Sequence, residues 1–419
     1  MSLYEEAGGL LGTHVTWQDI EDEMSKVLGT KARFGENKKA TNISDMKGFM
    51  SRIALVEPDW IGQDASENLP KKFVVKISSQ LALLAMAEMM KVGEAMSEEK
   101  MKVFSGIVRM LHNREVATYT LLLKQGVSHI PLTKIYAMRS FSEENPLKAF
   151  IISEYFENLS HISVYETIHV EDLLPIVRSV AAFSAIGETV TKEELSFAGG
   201  ANLLASILGE YSDEKILDGV FDMMRGAFPE EYKEQVDELV KIYRYYMDPK
   251  TIAKYEKVSD IIGHKGVLTH GDLWAANFLC VRNDDRVDFR AIIDWQTVSI
   301  ASPAIDVGRL FVSALNTTDR REKVDFLLEE YYTSFVENLH GKPAPYTLEQ
   351  LRQNYQLLFP IMTMMVVPAI IPFLNNSQVS EEERAQIKKT ALDKMIGMME
   401  DVLVVHEKNL KDFPEFYRD

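Results

Sequence analysis

Apolar residues alternate along short runs in the first part of the chain and recur at helical spacing through most of the remainder. Runs rich in β-branched and aromatic residues predict strands at 48–56, 72–77, 135–141 and 147–155. Beyond Tyr155 the spacing becomes mostly helical. The pattern predicts an α+β fold of two lobes, a small strand-rich N-terminal lobe over residues 1–156 and a large, mostly helical C-terminal lobe over residues 157–419.

Three helices are predicted within the strand-rich part. Thr16 and Asp19 form a capping-box-like pair at the start of the first, and Gly29 ends it. The other two are predicted at 81–93 and 108–126 from the recurrence of apolar residues. The N-terminal lobe is therefore expected to combine a sheet with flanking helices.

A group of strand patterns between residues 267 and 294 interrupts the helical part. An apolar run enters the segment His270-Gly-Asp-Leu-Trp-Ala-Ala-Asn277, and a second run leaves it. A turn signal at 283–285 separates that run from a short strand pattern that ends on Asp294. The order strand, loop, strand, turn, strand, acid places polar side chains at the ends of paired strands.

The polar residues in this segment have the spacing that phosphoryl transfer from ATP requires. Protein kinases carry H-R-D-x-x-x-x-N followed by D-F-G, in which the first Asp orients the hydroxyl and takes its proton. The Asn and the second Asp hold magnesium. The spacing indicates Asp272 as the base and Asn277 and Asp294 as Mg²⁺ ligands, with His270 holding the loop by hydrogen bonds to backbone. The alternative is that His270 and Asp272 merely cap a turn.

The H-G-D-L-W-x-x-N segment, together with I-D-W-Q, resembles the choline kinase and aminoglycoside phosphotransferase superfamily, nearest its CHK kinase-like (ecdysteroid kinase-like) branch. The resemblance extends from about residue 35 to 400, with its specific motifs between 267 and 310. It implies a bilobal protein-kinase-like fold that acts on hydroxyls of small molecules and does not name the substrate. It also matches Asp306 to an aspartate that braces the catalytic loop; an ordinary first-turn acid is the alternative.

A lysine and a glutamate are expected to form an ion pair beside the phosphates of the nucleotide. Lys76 lies in an apolar strand pattern, where an ammonium without a partner would be costly. Glu115 shares one helical stripe with apolar residues and needs a counter-charge. An edge-strand lysine facing water, Glu88 as the rival partner, and local pairing of Glu115 with Arg109 or Arg114 are the alternatives.

The segment that covers the phosphates is the least defined part of the prediction. The sequence has no G-x-G-x-x-G, and the candidate loop at 42–51 offers Gly48 for close backbone approach and Ser44 or Ser51 as donors. A simple hairpin turn is the alternative. By alignment with the superfamily, the backbone of Glu154, Tyr155 and Phe156 is expected to hydrogen-bond the adenine.

Net charge, cysteine content and hydropathy indicate which partners and which compartment to expect. A net charge of −17 disfavours a nucleic-acid partner, because such proteins carry a basic face. The single cysteine, Cys280, fits a reducing compartment and is expected to be a small buried core residue. The apolar run at 360–374 is too short for a confident membrane span and contains three prolines. With no signal-peptide pattern at the N-terminus, we expect a cytoplasmic protein; its oligomeric state is not predicted.

The acceptor is expected to be a small molecule with a hydroxyl group, such as a choline-like amino alcohol or a sterol. A cationic amine could be held by aromatic and acidic residues of the helical lobe, although packing explains each of them as well. These candidates are Tyr243, Tyr245, Tyr246, Glu329, Glu330, Tyr331 and Tyr332. An apolar pocket for a steroid-like alcohol could instead be lined by Met362, Met364, Met365 and Phe373. Packing in the core is the alternative for these four residues.

The sequence therefore predicts an ATP- and Mg²⁺-dependent phosphotransferase with a small-molecule acceptor. A catalytically silent nucleotide-binding module is the alternative that the degenerate phosphate loop suggests. A protein kinase is disfavoured because a helix follows Asp294 within about a dozen residues, which leaves no room for an A-P-E-type peptide platform.

Overall fold

The computed structural model describes residues 2–44, 50–62, 64, 67–84, 97–127, 129–199, 214–375 and 379–417. The chain forms two compact units. The first comprises Met1–Gly126 and Leu132–Asn158, and the second comprises Val127–Pro131 and Leu159–Asp419. The sequence predicted the division between the lobes after residue 156. The first unit ends two residues later, at Asn158.

The first unit contains seven strands and two long helices among its described residues. The strands are β1 Arg33–Phe34, β2 Lys39–Asn42, β3 Ser51–Glu57, β4 Trp60–Ile61, β5 Phe73–Ser78, β6 Ile135–Arg139 and β7 Phe150–Glu154. The helices are α1 Trp17–Leu28 and α2 Glu98–Gln125. Five strands form one sheet in the order β2-β3-β5-β7-β6, and every neighbouring pair is antiparallel.

Alternation along β5 gives the sheet two different faces. Phe73, Val75 and Ile77 join a buried apolar cluster with Ile20 and Met24 of α1. The intervening positions, which include Lys76, point to the opposite side, since successive side chains of a strand alternate between faces. The apolar face is covered by α1, and this leaves the polar positions of β5 for α2.

The predicted capping box of α1 is present. The Thr16 hydroxyl accepts from the Asp19 amide, and the Asp19 carboxylate accepts from the Thr16 amide. Gly29 ends the helix at φ +66°. These three residues set the ends of the helix, as expected from their types.

In the part that the structure describes, the second unit is mostly helical, with four short strands that carry the predicted loop. Its helices are α3 Val170–Thr189, α4 Glu214–Ala227, α5 Lys233–Tyr246, α6 Pro249–Tyr255, α7 Val258–Ile262, α8 Ala304–Ala314, α9 Thr317–Asn338, α10 Leu348–Ile370 and α11 Glu381–Asp412. Its strands are β8 Val267–Thr269, β9 Phe278–Asn283, β10 Arg286–Ile292 and β11 Ser299–Ala301. The predicted α+β class, with a strand-rich front and a helical back, is confirmed.

Among the described residues, one segment, Leu348–Leu374, is long and apolar enough to cross a membrane by length and composition alone. The segment is longer than the apolar run at 360–374, so its length alone does not rule out a membrane span. Burial inside the protein covers 72% of its most apolar window. A core helix of a folded protein has the same property, and Pro360 and Pro368 lie within it.

Candidate active site

Lys76 and Glu115 form the ion pair that the sequence predicted. Lys76 Nζ donates to Glu115 Oε2 over 2.7 Å. The glutamate side chain is 2% exposed and the lysine 18%, so each charge is partly removed from water and needs the other. Glu115 lies on the buried stripe of α2 with Leu111, Thr118 and Leu122. The lysine ammonium is therefore held at a fixed position on the polar face of the sheet.

A second contact joins the same strand to the same helix. Ser78, two residues after Lys76, lies 2.7 Å from His112 Nδ1 through its hydroxyl, and His112 Nε2 donates to the Arg139 carbonyl over 2.9 Å. The Arg139 carbonyl requires a proton on Nε2, and in the neutral ring Nδ1 then accepts from the Ser78 hydroxyl. Burial lowers the pKa of His112 to about 4, which keeps the ring neutral near pH 7.

The loop at 270–277 is anchored by a buried carboxylate. Asp306, in the first turn of α8, accepts from the amides of His270 (2.7 Å) and Gly271 (2.8 Å) with its two oxygens. Burial raises the pKa of Asp306, and the His270 ring and the two amide donors oppose that rise. Asp306 thus contacts the loop directly, as the superfamily resemblance implied, and is more than an ordinary first-turn acid.

The imidazole of His270 connects the loop to the strand before Asp294. Its Nε2 donates to the Ile293 carbonyl over 3.0 Å, and its Nδ1 accepts from the Asp272 amide at 3.3 Å. Both ring nitrogens therefore contact backbone, which is the supporting role that the sequence indicated. The ring also packs 4.8 Å from that of Trp295, which is fully buried.

The Asp272 carboxylate has a partner on each oxygen. Asn277 Nδ2 donates to Oδ2 over 3.0 Å and to the Asp272 carbonyl over 2.7 Å. Arg309 Nη1 lies 2.8 Å from Oδ1. Because the amide nitrogen of Asn277 is committed to Asp272, its Oδ1 is the atom left to face a cation.

The β9–β10 hairpin returns the chain from Asn277 to Asp294. Phe278 pairs with Ile292, and the Ile293 amide donates to the Asn277 carbonyl over 3.0 Å. Asp294 follows directly, with a left-handed backbone at φ +66°. Its Oδ2 accepts from Gln296 over 3.3 Å. The pairing register thus places Asn277 and Asp294 on neighbouring segments of the chain. The side chains of these two residues could serve as ligands of a metal ion.

The predicted phosphate loop is described only in part. Gly48 and the rival glutamate Glu88 lie outside the described residues. Ser51 is buried at the start of β3, opposite Ser78. Ser44 donates to the Asn42 side chain at 2.5 Å. These positions of Ser44 and Ser51 give no evidence that either hydroxyl faces a phosphate group.

Glu154 is the first of the three residues predicted to hydrogen-bond the adenine, and its backbone amide is used within the sheet. The Glu154 amide donates to the Lys134 carbonyl over 2.9 Å, and its carboxylate accepts from the Lys134 amide over 2.6 Å. Strand pairing thus extends to the end of β7 and occupies the Glu154 amide. Tyr155 and Phe156 follow the strand, and the adenine contact stays a prediction for all three residues.

Most residues nominated for a cationic acceptor are engaged within the helical unit. Glu329 pairs with Arg352, Glu330 pairs with Arg178, and the Tyr331 hydroxyl donates to Ser184. Tyr243 and Tyr246 are fully buried. Met362 and Met364, which were candidates for an apolar acceptor pocket, also lie in the core. Packing and helix-to-helix pairing therefore explain these side chains, as the alternative interpretation held.

Sequence reasoning missed Arg309. It lies on α8 one turn after Asp306, so both residues face the catalytic loop from the same side of the helix. That i, i+3 spacing was the available signal, because Asp306 had already been placed at the loop.

Comparisons with known proteins return a family and several relatives. A family model described as DUF1679, uncharacterized oxidoreductase dhs-27, matches residues 3–410. The uncharacterized kinase-like protein D1044.1 of Caenorhabditis elegans is 25% identical over 166 residues, which are 38% of this chain and 43% of that relative. The match thus spans less than half of the relative's length.

Solved structures similar to the chain include three kinases of small molecules. Choline kinase from Cryptosporidium parvum Iowa II matches with TM-score 0.40 and 12% identity, covering 90% of each chain. Plasmodium vivax ethanolamine kinase has TM-score 0.37 and 14% identity, covering 86% of this chain and 82% of that one. Spectinomycin phosphotransferase APH(9)-Ia, solved with ADP and spectinomycin, has TM-score 0.41 and 12% identity, covering 94% and 99%. These proteins are of the kind that the motifs indicated; at such TM-scores they add no argument about mechanism or substrate.

Proposed function

The chain belongs to the family described as DUF1679, uncharacterized oxidoreductase dhs-27, and we propose that it is a phosphotransferase that moves the γ-phosphoryl group of ATP to a hydroxyl of a small molecule. The observation that carries the proposal is the held carboxylate of Asp272, with Asn277 on one oxygen and Arg309 on the other. A carboxylate fixed in this way can receive an acceptor hydroxyl in one orientation.

The proposed reaction is an in-line displacement at the γ-phosphorus. Asp272 orients the acceptor hydroxyl and takes its proton as the acceptor oxygen bonds to phosphorus. The bond from the γ-phosphorus to the bridging oxygen breaks, and ADP leaves with that electron pair. Lys76, fixed by Glu115, contacts phosphate oxygens of the nucleotide.

The residues present fit a magnesium ion. Mg²⁺ usually binds few protein ligands and completes its shell with phosphate oxygens and water. Asn277 offers its amide oxygen and Asp294 its carboxylate, and these two residues would hold the ion. When bound, Mg²⁺ would neutralise charge on the phosphates. The chain's own contribution is to keep Asn277 oriented through Asp272, so the base and the metal ligand are set by one pair of hydrogen bonds.

An oxidoreductase, the activity in the family's description, has less support from the chain. Dinucleotide-binding folds use a parallel sheet and a G-x-G-x-x-G turn. The five-stranded sheet here is antiparallel throughout, and no two glycines in the sequence are spaced as G-x-G. A silent nucleotide-binding module remains the competing proposal, and it predicts binding of ATP without turnover.

The test is magnesium-dependent consumption of ATP by the purified chain with a panel of small alcohols, amino alcohols and sterols. Asp272→Asn should lower turnover by about 10²- to 10⁴-fold, the usual contribution of a general base, while nucleotide binding persists. Asp284→Asn is the matched control, because Asp284 lies exposed in the hairpin turn at φ +56°, where asparagine is well tolerated. Turnover that survives Asp272→Asn, or NAD(P)H oxidation in its place, contradicts the proposal.

A further inference from the structure

Arg309 lies beside the carboxylate of the proposed base and beside the ring of Trp274. Its Nη1 lies 2.8 Å from Asp272 Oδ1, and its guanidinium carbon lies 5.4 Å from the centre of the Trp274 ring. The side chain is only 14% exposed. A cation is thus built into the immediate surroundings of the proposed base and covers the nearest aromatic face.

We propose that Arg309 is a positioning and specificity residue that directs the enzyme to acceptors with no positive charge beside the reacting hydroxyl. The inference rests on the proposed function and goes beyond it by naming a substrate class. Two consequences of the geometry support it, one for the orientation of the base and one for the charge around it.

The first consequence concerns orientation. Asn277 contacts Oδ2 of Asp272 and Arg309 contacts Oδ1, so rotation of the carboxylate would break one contact or the other. Arg309 extends from α8, the helix whose Asp306 holds the backbone of the same loop. One helix therefore fixes both the loop and the carboxylate on it. Loss of Arg309 should lower the rate of the chemical step even with water as the acceptor.

The second consequence concerns charge. The Asp272–Arg309 pair has no net charge, so it does not attract an ammonium group as an unpaired carboxylate would. Asp272 alone would favour an ammonium about 6 Å away by about ten- to hundred-fold at the effective dielectric of a protein site, and the guanidinium cancels most of that attraction. Quaternary ammonium groups bind aromatic faces, and here the guanidinium occupies the face of Trp274. Neutral and anionic alcohols meet neither obstacle.

The nominated acidic residues do not offset this effect. Glu329 and Glu330 are paired with Arg352 and Arg178. Their charges are neutralised by side chains of other helices, so they offer no free carboxylate to an ammonium.

The competing interpretation is that the Arg309–Asp272 pair only stabilises the fold. That interpretation predicts a lower melting temperature and an equal loss of turnover for every acceptor when Arg309 is replaced. A change in the ratio between acceptors of equal size and different charge distinguishes the two.

The experiment uses matched alcohols with the full-length chain. Choline and 3,3-dimethylbutan-1-ol have the same shape and differ by one positive charge, as do the protonated form of 2-aminoethanol and propan-1-ol. ATP consumption is measured with each alcohol for the wild type, Arg309→Met and Arg309→Lys, and melting curves confirm folding. If Arg309→Met does not fold, Arg309→Gln replaces it, since glutamine keeps a donor without the charge.

In the wild type, kcat/KM for the uncharged member should equal or exceed that for the ammonium member. Arg309→Met should shift this ratio towards the ammonium member by about tenfold or more and lower kcat with water as the acceptor, whereas Arg309→Lys should keep the wild-type ratio. A preference for the ammonium alcohols, an unchanged ratio in Arg309→Met, or no acceleration by any of the four alcohols overturns the inference. If ATP consumption depends on Asp272 but the ratio ignores Arg309, only this inference fails; if it does not depend on Asp272, the proposed function fails.

Discussion

Ser78 and His112 form a neutral hydrogen bond of 2.7 Å beside the charged pair of Lys76 and Glu115, and both contacts join β5 to α2. On the strand, Lys76 and Ser78 are two residues apart and so share one face. On the helix, His112 and Glu115 are three residues apart and also share one face. With a neutral imidazole, Nδ1 of His112 accepts from the Ser78 hydroxyl, and protonation would reverse the donor of this contact. Protonation would also place a second positive charge in a buried site near Lys76, so the stability of this contact region is linked to the protonation state of His112.

We expect this link to appear as a loss of stability at mildly acidic pH. Burial lowers the pKa of His112 to about 4, against about 6.5 in the unfolded chain. Between these values the unfolded state binds more protons, so the free energy of unfolding falls as the pH falls from 6.5 towards 4. At pH 5 the loss should be on the order of 1–2 kcal/mol.

The measurement is urea denaturation of the wild type and His112→Asn at pH 7.5, 6 and 5. His112→Asn should be less stable at pH 7.5, because the buried hydrogen bonds are disturbed, yet its stability should change less with pH. His340→Asn, at an exposed position, is the control and should follow the wild type. Parallel pH profiles for the wild type and His112→Asn would contradict the assignment.

The ion pair itself should be necessary for turnover at normal ATP concentrations. Lys76→Met removes the ammonium, and Glu115→Gln leaves it without its buried counter-charge, so we expect each change to lower kcat/KM for ATP by about 10²-fold or more. The double variant should lose little more than either single one, because both act through one contact. Lys71→Met, at an exposed position two residues before β5, is the control. Additive losses in the double variant would show that the two residues act separately.

Asp306 provides a test of the anchor beneath the catalytic loop. Asp306→Asn keeps the size of the side chain but leaves only one oxygen for the two amides of His270 and Gly271. A buried amide without an acceptor costs about 1–3 kcal/mol, so we expect a lower melting temperature and a kcat reduced by about tenfold or more.

Asp319→Asn is the matched control for Asp306→Asn. Asp319 is also a first-turn acid, on α9, and its amide is capped by Asn316. If both variants lose the same activity, then Asp306 acts through the helix dipole rather than through the loop.

The elements that sequence reasoning predicted well are those specified by local patterns. The alternation of Phe73, Val75 and Ile77 defined β5 and left Lys76 on the other face. Helical spacing placed Glu115 on the buried stripe of α2. The spacing from Asp272 to Asn277 defined the loop, because five residues must turn a carboxylate and an amide towards each other.

The contacts that sequence reasoning missed join residues far apart in the chain. Arg309 meets Asp272 only because α8 packs beside the loop; the i, i+3 spacing puts Arg309 on the same side of the helix as Asp306 but does not specify the contact with Asp272. The Glu154 amide donates to the carbonyl of Lys134, which lies 20 residues earlier in the chain. Such pairings depend on how the elements pack, which hydrophobic periodicity does not specify.

Gly271 should be indispensable for a reason that its neighbours in the motif do not share. Its φ is +82°, and a Cβ atom there would lie 2.5 Å from the Thr297 carbonyl oxygen. Gly263 has nearly the same backbone, at φ +85°, but a Cβ atom there would have no neighbour within 4 Å. Both Gly→Ala variants incur the left-handed strain of about 1–2 kcal/mol, and only Gly271→Ala adds the clash.

We therefore expect Gly263→Ala to lower the melting temperature slightly with turnover retained. Gly271→Ala should displace the loop and lower kcat by about 10²-fold or more, since small displacements of the reacting groups are costly. Assays of ATP consumption and melting curves on both variants check this, and equal behaviour would mean that the close approach to Thr297 has no part in positioning Asp272.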